Sequence, residues 1–385
     1  MKAIVHLGLP KTGTTSIQSM LARNRPALER IGFRYNRTFG LTGQSLLGMR
    51  IFALAPYAGT EKNASAFRQT IERMDPAEFT ALDDAIRDEI ERYPSHTFLF
   101  SNEKLFDILP SDEGVAALVA YFAERFERVR YVIYLRRQDL HATSSYAQSA
   151  NGGNAYAFDD VIEHYARRAA YRYHDGLERL AARAGRESIV VRVYERGQLD
   201  DGDVTHDFLN VAGIDRSALA PSEKHHNATW DRSAVAFTQA VAQHLTTREN
   251  SVATDPWRMA IMGMQNVQQD RPRVALSKKR AEAFLAGFAE QNEAVARGWL
   301  GREDGVLFRD PVTGPDEDVL PEIDVDRMAE ITAAILRTGA ERADKDRVRI
   351  ADMQAKLRQS QAANQRLRNA VERLRNERDG KSAKT

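Results

Sequence analysis

The first eighteen residues constrain this chain more than any other stretch of it. Ala3–Leu7 is an unbroken apolar run of strand length that ends in a loop containing Gly8, Pro10, Lys11 and Gly13, and Ile17, Met20 and Leu21 then recur at helical spacing. A strand that feeds a glycine-flanked loop and then a helix offers unpaired N–H groups, at the positive end of the helix dipole, to a negative ligand. HLGLPKTGTTSIQ, from His6 to Gln18, therefore reads as an anion cradle rather than as a tight turn with an exposed lysine. Gly8 and Gly13 stand where a Walker loop has its two glycines, but the lysine is at position 11, and Thr14 occupies the place directly after Gly13. That displacement argues against a standard ATPase or P-loop kinase.

The strand signal returns in HTFLFS (His96–Ser101), VRYVIYL (Val129–Leu135) and IVVRVY (Ile189–Tyr194), with amphipathic stretches between them at Val115–Phe126 and Val161–Leu180. Strands alternating with helices predict an α/β fold with a doubly wound parallel sheet. Ligands of such sheets bind at the carboxyl ends of the strands. Gly40–Lys62 has glycines and apolar residues without a firm period and suits a surface excursion near the site. From Pro221 to Leu300 the chain reads as helical, with Phe284, Phe288, Val295 and Trp299 on one stripe. Asp310–Pro321, carrying three prolines and four acidic residues, marks the end of the compact domain.

Composition narrows the function classes. With 385 residues and 43% apolar side chains the chain can bury one large α/β core and still carry an appendage. It has no cysteine, so disulfides, thiolate metal sites and a cysteine nucleophile are excluded. No histidine spacing suits zinc, since His225 and His226 are adjacent, and no metal is expected. The net charge of +1 hides an uneven distribution: residues 341–385 hold 13 Lys/Arg against 7 Asp/Glu. Nucleic acid steering by the whole protein is therefore not expected. The N-terminal apolar run is too short for a signal peptide and no run suits a membrane span, so the expected place is the cytoplasm.

Pro10-Lys11-Thr12-Gly13-Thr14-Thr15 matches, position by position, the phosphosulfate loop of the PAPS-dependent sulfotransferases, and the chain resembles the bacterial members of that P-loop-fold family. The resemblance implies transfer of a sulfuryl group from 3′-phosphoadenosine-5′-phosphosulfate (PAPS) to a hydroxyl or amine, with a carbohydrate acceptor suggested by the bacterial members. It implies that Lys11 meets the bridging oxygen on which charge develops, and that Thr12, Gly13, Thr14, Thr15 and Ser16 bind the 5′-phosphate. It also implies an Arg at a strand end with a Ser eight residues on for the 3′-phosphate, which Arg136 and Ser144 satisfy; Arg137 and Ser145 are the alternative register. A fork-shaped guanidinium and a helix hydroxyl are apt phosphate donors. The resemblance continues loosely through VRVYERGQLDDGDVTHDFLNVAGI to about residue 310. The Arg-Lys-Gly lid of the cytosolic animal enzymes is absent, which leaves the adenine and lid contacts open, with Lys224-His225-His226-Asn227 as the candidate substitute.

Transfer to a hydroxyl needs a proton acceptor, and Glu103, just after the apolar run Phe98–Ser101 in FLFSNEKLF, is placed to serve. Its neighbours Phe100, Leu105 and Phe106 would raise its pKa by desolvation. The competing reading makes Glu103 a first-turn helix carboxylate capped by Ser101 or Asn102. His6 is the other candidate base, although a lone histidine in an apolar strand is commonly a core residue; His96 and His141 fall at loop or helix edges.

The tail carries a seven-residue step. Ile350, Leu357, Asn364 and Val371 take a positions and Met353, Ser360, Leu367 and Leu374 take d positions of a heptad. Asn364 at an a position is a device for parallel two-stranded register, so a coiled coil over 345–378 and a homodimer are expected. The chain thus divides into a catalytic domain over 1–310, a linker and helical segment over 311–344, the coiled coil, and a disordered tail over 379–385. A non-catalytic nucleotide-binding scaffold dimerised by the tail is the competing reading.

Overall fold

The alternation of apolar runs and amphipathic stretches produces, in a computed structural model describing residues 2–55, 62–151, 155–221, 230–244 and 271–382, one five-stranded sheet with helices on both faces. The chain order is β1 (Lys2–Leu7), α1 (Thr14–Arg23), α2 (Arg25–Arg30), β2 (Phe33–Tyr35), α3 (Ser45–Leu54), α4 (Lys62–Arg73), α5 (Pro76–Arg92) and β3 (Thr97–Asn102). It continues with α6 (Asp112–Ala123), β4 (Arg128–Leu135), α7 (Gln138–Asn151), α8 (Phe158–Ala166), α9 (Tyr173–Ala184), β5 (Ile189–Val193) and α10 (Val204–Ala212). The last described helices are α11 (Arg232–His244), α12 (Lys278–Ala286), α13 (Ala289–Leu300) and α14 (Val325–Ser382).

All strand pairs are parallel, in the order β2-β3-β1-β4-β5. Strands covered on both faces must be apolar on both, which is why β1 reads as a run and not as an alternation. Ala3, Val5 and Leu7 enter one core with α6, α7 and α9, whereas Ile4 enters the second core beneath α1 and α10. From β1 the chain moves out to β2, returns through β3, and then crosses to β4 and β5. The reversal leaves a crevice at the carboxyl end of β1, between the ends of β3 and β4.

Three sequence expectations change in detail. The amphipathic stretch Val161–Leu180 is two helices, because Ala169–Tyr171 forms a short 3-10 turn whose Tyr171 is buried in the core. Gly40–Lys62 contains α3, whose Gly48 packs on the Asn102 side chain so closely that a Cβ there would lie 2.8 Å from Asn102 Oδ1. Phe284, Phe288 and Val295 are buried as expected, but Phe284 and Val295 lie on two helices, α12 and α13, parted at Gly287 and Phe288.

Packing also continues past residue 310. Arg137 donates to the Asp310 carbonyl at 2.8 Å, Ala275 and Val319 form an antiparallel bridge, and Ile331 joins the main core. The first turns of α14 are rooted by Arg327, which is fully buried and pairs with Asp231 at 2.8 Å. Beyond Gly339 every described side chain of this 58-residue helix is exposed, Ile350, Met353 and Leu357 included. No helix among the described residues is long and apolar enough to cross a membrane.

Candidate active site

Strand register brings the site together. Leu7 pairs with Asn102, and the Gly8 N–H donates to the Asn102 carbonyl at 3.0 Å, so the loop after β1 lies on the turn after β3. A Cβ on Gly8 would come within 3.0 Å of the Glu103 Cα, which only glycine avoids. Gly13 caps α1 in the left-handed region, at φ 75°, with its missing Cβ aimed 2.6 Å from Val204 Cγ1. Lys11 also has a left-handed φ, 65°, a conformation that persists in a non-glycine residue only when its surroundings impose it.

The loop is closed from inside. The Thr12 and Thr14 hydroxyls donate to the Leu9 carbonyl at 2.6 and 3.3 Å, and both side chains are buried. The one hydrogen of each hydroxyl is thus spent inside the loop. Thr15 is exposed and Ser16 half-buried. The first i→i−4 bond of the helix is from Ile17 N–H to the Gly13 carbonyl, which leaves the N–H groups of Gly13 to Ser16 outside the ladder.

Arg136 follows β4 directly. Its guanidinium donates to the Lys11 carbonyl and lies 5.7 Å over the Tyr194 ring, while Tyr173 Oη donates to the Arg136 carbonyl at 2.6 Å. Arg137 is committed elsewhere: it holds Asp139 through Nε at 2.9 Å and Nη2 at 3.1 Å and reaches the Asp310 carbonyl. Of the two arginines, then, Arg136 faces the loop and Arg137 ties the scaffold. Ser144 is half-buried two turns along α7, and Ser145 Oγ lies 3.3 Å from His141 Nδ1.

Glu103 is in a turn and not in a helix, since Asn102 Oδ1 accepts from the Lys104 N–H at 2.8 Å. Burial pushes its carboxyl above the usual range, with Asp107 adding in the same direction and Lys104 and Lys11 opposing. Burial lowers the Lys11 pKa, opposed by Glu103 and reinforced by Arg136. Lys11 and Glu103 therefore share one desolvated crevice. His6 lies elsewhere: it is fully buried, bonded to Ser101 Oγ at 2.9 Å, walled by Tyr134 and Phe208, and lowered by burial to about 3. His96 precedes β3, at the amino end of that strand and so at the opposite end of the sheet from the crevice, against the Glu29 carbonyl at 3.1 Å.

Residues that the sequence did not single out complete the wall. Asp107, one turn beyond Glu103, pairs with Arg168 in the core, and Tyr171 meets His141. Glu195, in VRVYERGQLD, is buried and accepts from the Arg309 N–H at 2.7 Å, which ties residue 309 to the segment after β5. Lys224, His225, His226 and Asn227 lie outside the described residues.

The fold and crevice define a parallel α/β chain with a glycine-flanked loop and an open helix N-terminus at the reversal of its sheet. No family model matches the chain. It is 24% identical over 177 residues to a protein of Archaeoglobus fulgidus described as uncharacterized; that match covers 46% of this chain and 47% of the relative, so the chain spans about half the relative's length. A crystal structure of a sulfotransferase from Alicyclobacillus acidocaldarius aligns with 62% of this chain and 91% of its own, at 16% identity and a TM-score of 0.38.

Proposed function

We propose that this chain is a PAPS-dependent sulfotransferase acting on a hydroxyl or amine, with a carbohydrate as the acceptor class that its sequence resemblance favours. The observation that carries this reading is the meeting of Lys11, Glu103 and Arg136 at the ends of three adjacent strands, around one helix N-terminus. In the reaction, the acceptor oxygen or nitrogen bonds to sulfur as the bond from sulfur to the bridging oxygen breaks. The electron pair passes to the 5′-phosphate oxygen, where the Lys11 ammonium and the open N–H groups of α1 stabilise it. The acceptor's proton goes to Glu103, whose ionised form the neighbouring lysines favour. Arg136 uses one N–H on the Lys11 carbonyl, and its remaining donors, with Ser144, serve the 3′-phosphate.

The reading requires no metal ion. Incubation of the full chain with labelled PAPS, EDTA and fractionated glycans should label one fraction. Lys11→Ala should lower that transfer by about 10²–10³-fold while leaving the fold intact. Binding of PAPS without turnover, or transfer only with magnesium and ATP, overturns the proposal. We place the protein in the cytoplasm as a homodimer, joined through a parallel coiled coil over 345–378. The exposed Ile350, Met353 and Leu357 and the Asn364 a position support that pairing.

A further inference from the structure

Lys11 holds a left-handed backbone, so the peptide groups on either side of it need restraint. On one side the restraint is visible, because Arg136 donates to the Lys11 carbonyl. On the other side is Pro10, and beside its backbone lies the ring of His141, one turn into α7. His141 is wholly buried. Its Nδ1 meets the Tyr171 hydroxyl and lies 3.3 Å from Ser145 Oγ, and its Nε2 makes no full hydrogen bond. Burial first, then Arg168, Arg136 and Lys11, keep the ring neutral by holding its pKa well below the ordinary value. A neutral imidazole has one N–H, and a Tyr171 hydroxyl donating to Nδ1 puts that hydrogen on Nε2.

The tyrosines work as a pair. Tyr171 meets His141, and Tyr173, two residues on, donates to the Arg136 carbonyl at 2.6 Å. Arg168, three residues before Tyr171, pairs with Asp107 just beyond Glu103. Residues 168–173 therefore touch the supports of both the lysine loop and the base.

We propose that His141, oriented by Tyr171, is a positioning residue whose Nε2–H closes on the Pro10 carbonyl and, with Arg136 on the next carbonyl, aims Lys11 at its anion. The catalytic consequence rests on the sulfotransferase reading, but the hydrogen bond does not. Two measurements on the full chain test it without turnover. Nitrogen-15 NMR of the imidazole should show the Nε2–H tautomer, with the ring still neutral below the pH at which an ordinary histidine protonates; an Nδ1–H tautomer or a ring protonated at neutral pH overturns the proposal. Amide exchange of the loop over 9–16 should rise about tenfold in His141→Phe, as expected for one lost buried hydrogen bond, and fall back in His141→Gln, which keeps a donor and an acceptor. Exchange of the strands should not change. Should His141→Phe fail to fold, Tyr171→Phe removes only a hydroxyl and is expected to loosen the same loop. Loop exchange equal to that of the parent protein in the folded variant overturns the proposal. With PAPS turnover in hand, kcat should fall in His141→Phe with little change in KM.

Discussion

At the scale of single residues, burial moves the two groups of the crevice toward each other. Glu103 must be ionised to accept a proton, and its pKa is raised from 4.5, so activity should fade on acidification at a higher pH than for a free carboxylate. Lys11 must be protonated to meet the leaving oxygen, and its pKa is lowered from 10.5, so the alkaline limb comes earlier than for a free lysine. The expected pH profile of kcat/KM is a bell narrower than ordinary side chains would give. Glu103→Gln should remove the acid limb and cost about 10²–10⁴-fold in turnover. It should not cost stability. A raised folded pKa means that the folded state binds the proton more tightly than the unfolded chain, a gain that is lost as pH rises through that pKa. The amide cannot ionise, so at neutral pH the variant should melt no lower than the parent, which a thermal scan checks. Arg136→Ala removes the guanidinium that holds the Lys11 carbonyl and that the proposed function assigns to the 3′-phosphate. Calorimetry should show a larger loss of affinity for adenosine 3′,5′-bisphosphate than for AMP, and equal losses would take Arg136 out of the 3′-phosphate role.

At the scale of elements, the loop and α1 act as one unit because Gly13 lets the helix start against α10. A Cβ there would meet Val204 Cγ1 at 2.6 Å in a backbone conformation that L-residues avoid, and both effects act in the same direction. Gly13→Ala should destabilise the protein by about 1–3 kcal/mol in urea and weaken nucleotide binding, because the displaced turn carries the N–H groups. The pattern Gly-Thr-Thr after a strand announced this unit in advance, since loop and helix are contiguous in sequence. The polar wall facing it was not legible. Tyr171, Tyr173, Arg168 and Asp107 come from two separated segments and differ neither by type nor by spacing from ordinary surface or core residues, and His141 stood out only as a weak candidate base at a helix edge. Only the sign that His141 and Ser145 share a helical face was available beforehand.

At the scale of the whole molecule, α14 is a lever rooted at one end. Arg327, Asp231 and Ile331 fix its first turns, while the remainder, a rod of some tens of ångströms at about 1.5 Å per residue, meets no other part of the described chain. A helix with so little tertiary support gains little from propensity alone. Truncation after Thr338 should keep the rooted turns and the turnover and yield a monomer, whereas the full chain should run as a dimer. Asn364→Ile should raise the melting temperature and loosen the choice of oligomer. Light scattering coupled to gel filtration reads both, and a monomeric full chain at micromolar concentration refutes the pairing.

Sequence alone determined the parallel α/β class, the glycine-flanked strand–loop–helix unit that carries Lys11, the position of Glu103 at a strand end and the heptad step of the tail. Each is a short-range pattern whose physical cause lies within a few residues: burial on both strand faces, the open N–H groups of a helix start, and a seven-residue apolar period. Tertiary structure decided which arginine faces the loop, which threonine hydroxyls turn inward, that His6 is core, and that Glu103 and Lys11 share a desolvated crevice. Those outcomes depend on strand order and on side chains arriving from distant segments, and burial, which sets both pKa shifts, is a property of the packed molecule.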